Sequence, residues 1–217
     1  MQLFSLVLIV FALLGMASAQ PPTLNLEYGA DVYLSDVSRG LENLPAYRQH
    51  YVMVREGAQG QQEIYEWINE LTALGDRHAR ERFGAPQNFS RASYQVGGQA
   101  VFYAAPEGGE AICQPMPEFR ELEPMIGVAD TTGFKSATLA AAGESVGGIL
   151  ADRYTLDPPP YSPNYDALEG ELWLAREGGT LVKYEIRGRR GEETTIWSYE
   201  LTEVAGLELP AGCAARP

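Results

Sequence analysis

The chain has 217 residues, a net charge of −13 and 45% hydrophobic residues, with two cysteines and two histidines. A surface this acidic repels nucleic acid and anionic headgroups over a Debye length, which excludes nucleic-acid binding. It keeps a protein soluble and leaves the fold open.

In chain order, Leu3 to Leu14 is an apolar run followed by Gly15 and the small-x-small triplet Ala17-Ser18-Ala19. This is the pattern of a secretory signal peptide lacking only its basic n-region. The run falls short of the ~20 residues a spanning helix needs. Cleavage after Ala19 leaves 217 − 19 = 198 residues. Residues 20–217 are therefore expected to form one extracytoplasmic domain, periplasmic or secreted, monomeric and without an integral membrane span.

After Gln20-Pro21-Pro22, residues Asp31 to Leu44 place Leu34, Val37, Leu41 and Leu44 at helical spacing, and Pro45 ends the predicted helix. Ala46–Arg55 is a predicted strand with Tyr47, Tyr51 and Met53 on one face. Gln61–Leu74 is a second, carrying Tyr65, Trp67 and Leu71 on one side. Arg77–Phe83 is polar and is expected at or near a sheet edge. Asn88-Phe89-Ser90 matches a glycosylation acceptor, a pattern too short to weigh. Gly97-Gly98 closes a hairpin between Ser93–Val96 and Gln99–Ala104, and Ala111–Cys113 reads as a short strand.

From Glu118 the period changes. Phe119, Leu122, Met125 and Ile126 suit a short amphipathic helix broken at Pro124, and Phe134–Ala142 reads as a second. Strands return with Ile149–Leu156, and a stiff loop at Pro158–Pro163 precedes a meander over Glu171–Ala175, Leu181–Arg187 and Thr194–Leu201. In that meander Val182, Tyr184 and Ile186 alternate with Lys183, Glu185 and Arg187, while Trp197, Tyr199 and Leu201 alternate with polar residues. The expected fold class is α+β: one strongly curved antiparallel sheet, a half-barrel, with the helices of Glu118–Ala142 packed on its concave face.

Cys113 and Cys213 are an even pair in an exported chain and read as one disulfide. Closing a 213 − 113 = 100-residue loop stabilises a fold by roughly 4–5 kcal/mol on the chain-entropy model. Neither His50 nor His78 is spaced as a ligand pair with a cysteine, so no metal or cofactor is expected.

Three stretches carry a family resemblance. They are Leu41–Leu44 passing into Tyr47–Tyr51, then Gln95–Tyr103, then Glu144–Ile149 with Arg153–Leu156, Leu172–Leu174 and Lys183–Glu185. In these the chain resembles the bacterial lipoprotein-carrier superfamily, the LolA/LolB and LppX/LprG-like half-barrels. The resemblance implies a hollow for acyl chains or another apolar ligand. The residues expected to line it are Tyr47, Tyr51, Met53, Trp67, Tyr103 and Leu122, together with Ile126, Trp173, Tyr184, Trp197 and Tyr199. Ordinary core packing is the competing reading for each. A sensor or structural domain with a filled core is the alternative function. No phosphate loop, nucleophile elbow or zinc-binding helix occurs, and the acidic pairs Glu121/Glu123 and Glu192/Glu193 read as solvated, so an enzyme is not expected.

Overall fold

The computed structural model describes residues 22–26, 37, 40–106, 109–123, 133–204, 206–211 and 213. The predicted signal peptide lies outside them, as does most of the predicted helix at 31–44. Twelve strands account for most of the rest: β1 Thr23–Asn25, β2 Tyr47–Gly57, β3 Gly60–Leu71, β4 Arg77–Phe83, β5 Phe89–Val96, β6 Gln99–Pro106, β7 Ile112–Met116, β8 Ser136–Val146, β9 Ile149–Asp157, β10 Ala167–Ala175, β11 Leu181–Arg190 and β12 Glu193–Thr202. They form one sheet in the order β1-β8-β9-β10-β11-β12-β2-β3-β4-β5-β6-β7. Two meanders, β2–β7 and β8–β12, thus lie side by side, joined where β12 pairs with β2. Every described pairing is antiparallel. The sheet is not closed: β1 and β7 are its edges.

Local chemistry accounts for the tightest turns. Gly97 and Gly98 both have positive φ, as do Gly147 and Gly148, and each pair joins two strands through two residues. Only a turn of that hand matches the twist of the strands it connects, and it needs left-handed backbone at both positions.

Side chains of one face gather into a single cluster that runs from Ala137 in β8 to Trp67 in β3. We call this the inner face. Residues from connecting segments complete it, among them Leu26, Val37, Leu41 and Phe134. Cys113 and Cys213 are joined by a disulfide, which ties the C-terminal stretch to edge strand β7.

Among the described residues no helix covers this face. Phe134–Ala142, read as a helix for its alanines, contains most of β8, an 11-residue strand. Helix propensity differs by only tenths of a kcal/mol per residue, and pairing with β9 along the strand overrides it. Glu118–Glu123 has no helical residue, and Ile126 lies outside the described residues. Among the described residues the helical ones are Leu41–Asn43, a single 3-10 turn at the end of the predicted N-terminal helix. β4 is corrected too. It sits between β3 and β5, well inside the sheet, because ion pairs take the place of apolar side chains along it.

Candidate functional site

Residues directly opposite each other in an antiparallel ladder share a face. Following the register across the sheet from β8 to β6 picks out one row: Leu139, Tyr154, Leu172, Tyr184, Tyr199, Tyr51, Trp67, Glu81, Arg91 and Ala104. Its chemistry is graded. It is mostly aliphatic over β8–β10, aromatic over β11–β3, and ionised over β4 and β5.

The aromatic stretch is closely packed. Tyr184 stacks on Tyr199 with centroids 5.6 Å apart, and Tyr51 meets Tyr184 edge-on at 6.5 Å. Beside the row, Tyr65 lies 5.7 Å from Tyr51 and 5.2 Å from Phe83. Polar tips of some of these rings are satisfied. The Gln49 amide donates to the Tyr199 hydroxyl at 3.2 Å and to the Val37 carbonyl at 2.6 Å. The Tyr65 hydroxyl donates to Glu81 at 3.0 Å, and Arg91 closes on the same carboxylate at 2.6 Å. The hydroxyls of Tyr51 and Tyr184, both fully buried, have no hydrogen-bond partner among the described residues. Burial pushes both phenols well above their ordinary range, and the neighbouring tyrosines add to the effect.

A strap crosses the row. The Trp67 indole donates to the Leu122 carbonyl at 2.7 Å, and the backbone N–H of Arg120 donates to Ser93 Oγ at 3.0 Å. Arg77 holds Phe119 by its ring at 5.8 Å and Glu121 at 3.6 Å. Phe119–Glu123 is thus an extended segment laid over β3–β5, with Leu122 buried beneath it. Elsewhere, an open cleft of about 810 Å³ lies at one end of the sheet, between Leu44, Ile149, Leu150, Ala175 and Arg176. It includes no member of the row.

The structure brings Tyr51, Trp67, Tyr184, Trp197 and Tyr199 into the core cluster, with Tyr47 and Met53 packed against it. Trp197 meets Tyr165 edge-on at 5.4 Å. Two predicted residues face the other way. Tyr103 pairs with Ala92 and Cys113, out of step with the inner residues Phe102 and Ala104. Trp173 alternates with Leu172 and Leu174, so it points outward. There its indole donates to Glu144 at 2.8 Å, and the Lys183 ammonium lies 5.0 Å from its ring centroid. A bulge sends Val182 the same way: Trp173 pairs with Lys183 and Leu174 with Leu181, leaving Val182 unpaired on that side. Its expected companionship with Tyr184 and Ile186 fails for that reason. Glu81, Arg91, Tyr154 and Leu172 belong to the row and were missed. Alternation alone places Leu172 opposite to Trp173, but no apolar pattern in Arg77–Phe83 points to Glu81.

No family model and no curated relative matches the chain. Among solved structures, the MucA/MucB complex of Pseudomonas aeruginosa matches at 15% identity over 81% of this chain and 56% of that one, with a TM-score of 0.33. A LolA superfamily protein from Nitrosomonas europaea matches at 13% identity over 79% of this chain and 90% of that one, with a TM-score of 0.23. The chain spans about half the length of the MucB chains it matches.

Proposed function

We propose that this protein is an extracytoplasmic binding protein that takes a lipid, the acyl chains of a lipoprotein or another apolar ligand against its inner face. One observation carries the reading. The aromatic part of the row ends under a strap, Phe119–Glu123, that is held by two hydrogen bonds, the Arg77 contacts and one buried side chain, Leu122, rather than by a packed helix. A segment with few apolar contacts opens at a lower free-energy cost than the core around it, which gives a ligand a way in. Binding sites of this kind are mostly apolar with a few placed polar groups, as this face is. The disulfide supports an oxidising compartment.

A second reading has its own support: a sensor or structural domain whose core is already full. Tyr51 and Leu172 are 0% exposed and Tyr199 1%, so the row is closed by protein in this state.

Native mass spectrometry and a lipophilic dye separate the two. A co-purifying lipid mass, or dye uptake lost in Leu122→Glu with a nearly unchanged melting temperature, is the expected result. A bare mass on repeated preparations together with no dye uptake by the unaltered protein sinks the binding reading and leaves the filled-core domain.

A further inference from the structure

We infer that the ligand is held through a neutral carbonyl, that of an ester or amide, by the hydroxyls of Tyr51 and Tyr184. The inference rests on the binding function proposed above and narrows the class of ligand.

Four tyrosines sit together on the inner face, and the protein treats their hydroxyls differently. Tyr199 is satisfied by Gln49 and Tyr65 by Glu81. Tyr51 and Tyr184, at 0% and 1% exposure, carry hydroxyls with no partner among the described residues. Burying a hydroxyl without a hydrogen bond is unfavourable, and phenylalanine would fill nearly the same space with no polar atom to satisfy. Two such groups either side of Tyr199, in register on β11 and β2, form a pair of donors set into an apolar wall.

The surroundings decide what they can bind. Burial favours the protonated form of both groups, so each offers an O–H donor at neutral pH. A carboxylate or phosphate placed between them would be buried, and among the described residues no cation acts on either hydroxyl. The nearest cation in the row is Arg91, already closed on Glu81. It lies three strands from Tyr51, roughly 14 Å at the usual strand spacing. A carbonyl accepts the two donors without bringing a charge. On the β10 side of Tyr184 the row continues through Leu172, Tyr154 and Leu139, which suits the hydrocarbon chain. On the β3 side it passes Trp67 to the Glu81–Arg91 pair, which suits a polar head. The grading of the row therefore sets an orientation as well as an anchor.

The test uses the mature chain and three pyrene-labelled probes of equal length: a fatty-acid methyl ester, the free fatty acid and the plain hydrocarbon. The unaltered protein should bind the ester more tightly than either of the others. Tyr51→Phe and Tyr184→Phe should each weaken ester binding about tenfold, the size of one net hydrogen bond. Hydrocarbon affinity should stay the same, and the melting temperature should hold or rise. A merely structural hydroxyl would on removal lower the melting temperature and leave the ester preference intact. Hydrocarbon binding with no ester preference, or phenylalanine variants that keep that preference, overturns the carbonyl anchor alone. Failure of all three probes to bind overturns the anchor and the binding function together.

Discussion

The inner and outer faces of β2, β3 and β4 are built from alternate residues of the same strands, yet different forces hold them. Inside, Tyr51, Tyr65 and Trp67 are buried against one another and the rest of the core. Outside, Glu66 takes His50 at 3.0 Å, Arg80 at 2.8 Å and Arg82 at 3.1 Å. One step along, Glu70 takes His78 at 2.6 Å and Arg48 at 3.5 Å, and the His78 ring stacks on Tyr94 at 4.3 Å. Glu66, Glu70 and His78 are themselves buried, at 7–8% exposure. The outer face of these strands is thus a half-dry ionic lattice. Area stabilises one face at any pH. Paired charge stabilises the other only while its carboxylates stay ionised.

The largest expected effect tests the inner face. Trp67→Ala removes a buried indole and should destabilise the protein by about 3–5 kcal/mol in urea unfolding. Trp67→Phe keeps most of the ring but leaves the Leu122 carbonyl without its donor, and about 1–2 kcal/mol is expected. Equal losses would mean that the strap, and not the area buried, holds this face.

The next effect belongs to the outer face. Burial pushes the Glu66 carboxyl up, but the His50 hydrogen bond and the charges of Arg80 and Arg82 outweigh it and bring it from 4.5 down to about 2. A carboxyl depressed in the folded state contributes stability above its unfolded value and loses it on protonation. Stability should therefore fall as the pH drops from about 4.5 to about 2. Its arginine partners are partly exposed, which discounts the contribution to about 1–2 kcal/mol. In Glu66→Gln that part of the acid limb should be missing from chemical unfolding followed against pH. An unchanged acid limb would mean that other carboxylates set it.

Much of the sheet was legible because strand alternation and two-glycine turns are local signals. β2, β3, the β5–β6 hairpin and the β9–β12 meander all fall where those signals put them. What failed depended on partners far away in sequence. Ala137 to Ala142 has helical composition, and pairing with β9 on one side and with β1 at its start on the other makes it a strand. The inward place of Glu81 follows from β3 and β5 lying on either side, with Tyr65 and Arg91 there to satisfy it. Bulges are the other blind spot. One extra residue at Val182 turns that side chain outward, and nothing in the Leu181–Arg187 pattern announces it.

The smallest effect sharpens the contrast within the outer face itself. Arg187 reaches Glu185 at 2.7 Å on β11, a geometry as good as that of the Glu66 cluster, but the two side chains are 46% and 39% exposed. If geometry decides, Arg187→Ala should cost as much as the loss of a Glu66 partner. If desolvation decides, water and salt screen the pair and the lost side-chain freedom offsets what remains, so the change should lie within about 0.5 kcal/mol. The second outcome is expected, because the Glu66 carboxylate is itself buried whereas both members of the Arg187–Glu185 pair are exposed. A double-mutant cycle with Glu185→Ala, repeated at 1 M salt, reads the coupling directly. A coupling above about 1.5 kcal/mol that survives salt would put exposed and half-buried pairs on the same footing, and the distinction between the two parts of this face would fall.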